Sequence, residues 1–165
     1  MKKPSEAELR QKISVLRKLL QYLGIKQATM KKNLYAVTLQ NLNIDVSPRD
    51  LAPDVLGCAE SVSEMIQKVL PTFPVITGTS TLYATFLKHP KFRRVSGYQP
   101  GTIIISPTGM GDGAFPGHTG ICLAGDKIAS NTSANGRFEQ NYTQESWRKR
   151  WGAHKFPIYY FDLII

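Results

Sequence analysis

Apolar residues recur at helical spacing in the first half of the chain and in short β-type runs in the second. Leu9, Ile13, Leu16, Leu19, Leu20 and Leu23 predict a helix over residues 5–23. Ser5 with Glu8 forms a capping-box pattern at its start, and Gly24 is its stop. Met30, Leu34, Val37 and Leu42 predict a second helix over about 27–42, followed by a turn region from Ile44 to Pro53. A third helix starts near Cys58, with Cys58, Val62, Met65, Ile66 and Val69 inward, and ends before Pro71. A fourth runs from Thr79 to Lys88 ahead of Pro90. The texture then changes. Strands are predicted over Thr102–Ser106, Thr119–Ala124, Lys127–Asn131, Arg137–Tyr142 and Phe156–Ile165, with a short helix or turn at Ser146–Trp151. Helices followed by a mostly antiparallel sheet make an α+β layout. The expected division is a helical N-terminal extension over 1–45 and a catalytic domain over 46–165.

The 165 residues are 42% apolar and 20% charged, an ordinary globular composition, with a formal charge of +9. That surplus favours a polyanionic surface such as an anionic cell wall or membrane, and nucleic acid carries the same sign. Arg10, Lys12, Arg17, Lys18, Lys26, Lys31 and Lys32 concentrate it in the N-terminal helices, which read as a wall-binding module or as a solvated basic face. Lys2 and Lys3 lead into Pro-Ser-Glu-Ala-Glu with no apolar segment behind them. Synthesis in the cytoplasm without a signal peptide is therefore expected. Two cysteines are too few for a disulfide framework.

Cys58 sits at the head of an amphipathic helix, where the dipole and free N–H groups favour thiolate, the nucleophilic form. The alternative is a small core residue, since cysteine is among the most buried types. His118, in Gly117-His118-Thr119-Gly120-Ile121, begins a strand leaving a glycine-rich loop and is placed to act as general base. His89, before Pro90, and His154, in a polar stretch, carry no such context. Asn131 follows His118 by 13 residues, one hairpin away, and is the expected third member that fixes the imidazole tautomer. Asn135 and Asn141 are weaker candidates.

The order of helix-borne Cys58, the Pro100-Gly101-Thr102-Ile-Ile-Ile strand, Gly-His118-Thr-Gly-Ile, and Ile-Ala-Ser-Asn131 resembles the NlpC/P60 and CHAP superfamily of papain-like peptidoglycan hydrolases. The resemblance covers roughly residues 55–165. Thr102 stands where the family usually has Asp, and Thr119 where it usually has Val. Leu56-Gly57 precedes the cysteine where the CHAP branch often has Gln, and no Tyr lies a dozen residues upstream as in many NlpC/P60 members; Tyr35 is 23 residues away. The resemblance implies a papain-like fold and amide hydrolysis in peptidoglycan, as a stem-peptide endopeptidase or an N-acetylmuramoyl-L-alanine amidase. It also implies catalysis by Cys58, His118 and Asn131; no cofactor and no metal are expected.

The expected agent is a phage-type endolysin or a delivered effector, monomeric, acting on the wall after release, with peptidoglycan and not nucleic acid as partner. The alternatives are a papain-like protease or deamidase acting on proteins, and a non-enzymatic basic nucleic-acid- or membrane-binding domain. The Gly109–Gly117 segment lacks the Lys-Ser/Thr ending of a phosphate loop and reads as a lip of the cleft. Asp45, Asp50 and Asp54 lack the spacing of a calcium loop and read as turn and cap residues. Cys122 shares a strand face with His118, and its expected role is packing. Trp147, Trp151, Tyr159 and Tyr160 are expected in the core, with a sugar-binding groove as the alternative.

Overall fold

The structure is a computed structural model that describes residues 34–46 and 57–164. The predicted helix over 5–23, the first part (27–33) of the 27–42 run and the Pro48–Pro53 turns lie outside the described residues. Three helices precede the sheet: α1 (Leu34–Gln40), α2 (Cys58–Gln67) and α3 (Thr79–Lys88). Then follow β1 (Phe92–Val95), β2 (Ile103–Ser106), β3 (His118–Cys122), β4 (Lys127–Asn131), β5 (Phe138–Thr143), α4 (Gln144–Gly152) and β6 (Tyr159–Leu163). The six strands form one antiparallel sheet in the order β1-β6-β2-β3-β4-β5. The architecture is α+β, with helices packed on one antiparallel sheet.

Strand alternation divides the core into two layers. Ile103, Ile105, Ile121, Ala129 and Phe161 point to one face and pack against Ala59, Val62, Met65 and Ile66 of α2 and Leu82 and Phe86 of α3. Leu34 and Val37 of α1 join this layer. Ile104, Cys122, Ile128 and Tyr160 point to the other face and meet Trp147 and Trp151 of α4. Cys122 is thus a packing residue, its thiol pushed upward by burial and then by Asp126 and Asp162. Trp147 and Trp151 are buried as expected, and Tyr160 with them. Tyr159 stacks on Tyr83 at 4.6 Å between centroids.

Three elements differ from the reading of the sequence. β1 was not anticipated, because Phe92-Arg-Arg-Val is four residues long with two exposed arginines. An edge strand buries one side chain and leaves its charges in water, so it shows little apolar pattern. The 146–151 segment is a full nine-residue helix, started by a reciprocal cap in which Thr143 and Ser146 each bond the other's backbone N–H. The last strand covers only Tyr159–Leu163, since Pro157 cannot donate to a ladder. The third helix ends at Gln67, and Val69 packs on the core from the turn beyond it. Among the described residues no helix is long and apolar enough to cross a membrane.

Candidate active site

A cavity of about 280 Å³ opens at the end of the sheet where β3 begins. Cys58, His118 and Asn131 all line it. The two chemical groups reach it from opposite layers. Cys58 heads α2, whose inward residues pack on the Ile103–Ile105 face. His118 shares the parity of Cys122 and lies on the α4 face, among Tyr142, Trp147 and Trp151.

The backbone explains how sulfur and imidazole come to one cavity. Cys122 N–H bonds Thr102 O on the β2 side, so by alternation Thr119 N–H points toward β4. Regular β3–β4 pairing covers only Ile121↔Ala129 and Cys122↔Ile128. The Thr119 N–H instead serves the Cys58 sulfur, together with the N–H groups of Cys58 and Ala59. No side chain caps α2 at Gly57, which leaves those first helical donors to the thiol. All three favour thiolate, but burial outweighs them and raises the Cys58 pKa to about 11. The sequence-based expectation of a lowered pKa accounts for the donors and not for the desolvation.

Burial first, and the Arg150 charge second, lower the His118 pKa to about 3. The resting pair is therefore a neutral thiol and a neutral imidazole, rather than an ion pair. The ring is fixed on all sides. It lies parallel to Trp151 (1°, 5.0 Å between centroids) and meets Tyr142 and Trp147 at 5.6 and 5.4 Å. Its Nε2 is 2.8 Å from Ser130 Oγ. Ser130 Oγ donates to Asn141 Oδ1 at 2.8 Å, and Asn141 Nδ2 donates to Ser130 O at 3.3 Å. Since the Ser130 proton is committed to Asn141, this network assigns the imidazole proton to Nε2. Nδ1 is then the ring nitrogen that keeps its lone pair.

The hydrogen-bond partner of His118 Nε2 is Ser130, backed by Asn141, while Asn131, the expected third member, lines the same cavity. Continuing the β3–β4 register sets Asn131 opposite Thr119, on the Cys58 face, and puts Ser130 diagonal to His118 on the same face. Asn135 does not line the cavity and bonds Glu139 and Thr132.

Two glycines hold the strand in position. A Cβ at Gly117 would lie 2.3 Å from Ser106 O, and one at Gly120 would lie 2.6 Å from Ala129 O. A chain of hydroxyls fixes the approach: Gly117 N–H donates to Thr108 Oγ1 at 3.0 Å, and Thr108 N–H donates to Thr79 Oγ1 at 3.0 Å. Thr79 begins α3. The glycine-rich segment forms one wall of the cavity through Phe115 and Pro116. Trp151 Nε1 donates to Pro116 O at 3.3 Å, and Phe115 stacks on His154 at 3.8 Å. His154 thus backs the Phe115 wall without lining the cavity itself, a role its polar surroundings in the sequence did not show.

No family model matches the chain, and no curated protein matches it. Among solved structures the chain is similar to the type VI native effector–immunity complex Tae3-Tai3 from Ralstonia pickettii. The identity is 16%, the match covers 79% of this chain and 96% of that chain, and the TM-score is 0.47.

Proposed function

We propose that this chain is a cysteine hydrolase that cleaves an amide bond of peptidoglycan, within the stem peptide or at the muramic acid–alanine link. It would act as a phage-type endolysin or a cell-wall-degrading effector, on the wall and after release from the cytoplasm. The observation that carries the reading is one cavity lined by a helix-head thiol and by an imidazole whose Nε2 is held by Ser130. The NlpC/P60-like order of Cys58, the Pro100-Gly101 strand and His118 supports the substrate class, as does the charge of +9 toward an anionic wall.

Each step uses a group in place. His118 Nδ1 takes the Cys58 proton as the sulfur attacks the amide carbon, so charge separates only when substrate has displaced water. The backbone N–H groups at the head of α2 are the donors available to the developing oxyanion. Collapse breaks the C–N bond; imidazolium gives its proton to the amine, leaving a thioester. Water, deprotonated by the neutral imidazole, then attacks the thioester and regenerates the thiol, releasing a carboxylic acid. Ser130 and Asn141 hold the ring through both transfers.

The test is clearance of purified cell walls, with products identified by mass spectrometry. Wild type is expected to clear them, and Cys58→Ala and His118→Ala to lose at least about a thousandfold in rate. Equal clearance by both variants would contradict the reading. Product masses assign the bond.

A further inference from the structure

We infer that Arg150 is the anion receptor of the Cys58 cavity, binding a carboxylate of the peptide beside the amide that is cleaved. The inference rests on the hydrolase reading above and adds the substrate group that the site selects.

Arg150 is the one charged side chain among the described residues that line the cavity, and no carboxylate joins it there. Nor does any described Asp or Glu lie in ion-pair range of it; the described pairs are Arg93–Asp162 and Lys155–Asp112. Its guanidinium is nevertheless held in position. The central carbon lies 5.8 Å from the Phe115 ring centre and 5.4 Å from that of Trp151, both within cation–π range. Phe115 belongs to the glycine-rich wall, and Trp151 is the residue stacked on His118. The cation is therefore tied to both the wall and the catalytic ring. Its field reaches the chemistry, since it acts on both His118 and Tyr142.

A guanidinium held by cation–π contacts and with no carboxylate partner has N–H groups to offer, and these match a carboxylate in bidentate fashion. The rest of the lining offers neutral partners for a peptide backbone, from Thr132 and Ser133 to Asn141. An anion at this point also offsets the positive charge that opposes protonation of His118, so substrate binding itself would ease the proton transfer from Cys58.

The experiment uses two peptidoglycan stem fragments that differ only in a free carboxylate or a carboxamide beside the scissile amide. They are assayed with wild type, Arg150→Gln and Arg150→Lys. The expected wild-type preference for the carboxylate form is about 10–100-fold in kcat/KM, the size of a charge-assisted contact. Arg150→Gln is expected to abolish that preference, so that kcat/KM becomes equal for the two forms. Arg150→Lys is expected to retain part of it. Arg150 is exposed, and thermal melts of both variants check that the fold survives. A wild type that cleaves both forms equally, or an Arg150→Gln enzyme that keeps the preference, overturns the inference and leaves the hydrolase reading standing. A wild type that cleaves neither overturns the hydrolase reading, and this inference with it.

Discussion

On one face of the sheet the side chains are aliphatic and phenylalanine: Ile103, Ile105, Ile121 and Phe161 against Met65, Ile66, Leu82 and Phe86. On the other face indoles and phenols replace them, and polar atoms enter the packing, as where Trp147 Nε1 donates to Ser106 Oγ at 3.1 Å. The first face gains its stability from dry surface and shape. The second gives part of that up to fix directions, because a hydrogen-bonded ring has one orientation where a packed methyl group has several. Cys58 is mounted on the dry layer and His118 on the directed one. Rigidity is thus supplied to the helix that carries Cys58, and orientation to the ring that needs a defined tautomer.

The comparison breaks most visibly if the dry face is damaged. Phe86→Ala removes a ring that packs on Phe73, Phe92 and Phe161 and is expected to cost about 3–5 kcal/mol in urea unfolding. Activity per folded molecule should stay within about twofold. Ser130→Ala is the complementary change. It removes the Nε2 partner and is expected to lower kcat about tenfold, with a stability loss near 1 kcal/mol. If Phe86→Ala impaired catalysis more than Ser130→Ala did, the division of labour between the faces would be wrong.

A gentler effect separates the two groups by pH. The folded-state His118 pKa is lowered from 6.5 to about 3, so below pH 6.5 the unfolded chain takes up a proton that the folded chain refuses. Stability should fall as pH drops from 6.5 toward 3, and His118→Gln should flatten that fall. The Cys58 pKa is raised from 9.0 to about 11, so its contribution should be lost as pH rises through that interval, and Cys58→Ser should flatten that loss. Chemical denaturation across pH reads both.

What the sequence displayed follows the same division. Dry packing leaves a periodic trace: Val62, Met65 and Ile66 announced α2, and Ile103–Ile105 announced β2, because burial on one face repeats at the period of the element. Cys58 and His118 were legible from their positions at a helix head and a strand start. Ser130 was not, since a serine in a strand looks like any buried hydroxyl. The signal was in the register. The Gly125-Asp126 turn sets Cys122 against Ile128, and counting outward from it puts Ser130, not Asn131, on the His118 face. Desolvation of Cys58 was hidden for another reason: it depends on everything packed around the helix head, which no local motif records. β1 and Arg150 escaped notice because exposed cations carry no periodicity.

The central claim is that a thiol from one layer and an imidazole from the other share one cavity and act on each other. Ring NMR of the three histidines before and after alkylation of Cys58 with iodoacetamide tests it most directly, with mass spectrometry confirming that Cys58 alone is modified. The His118 ring signals are expected to move by far more than those of His89 and His154, and alkylation is expected to slow in Ser130→Ala, where the ring loses its Nε2 partner. His118 signals unmoved by a fully modified Cys58 would contradict the account.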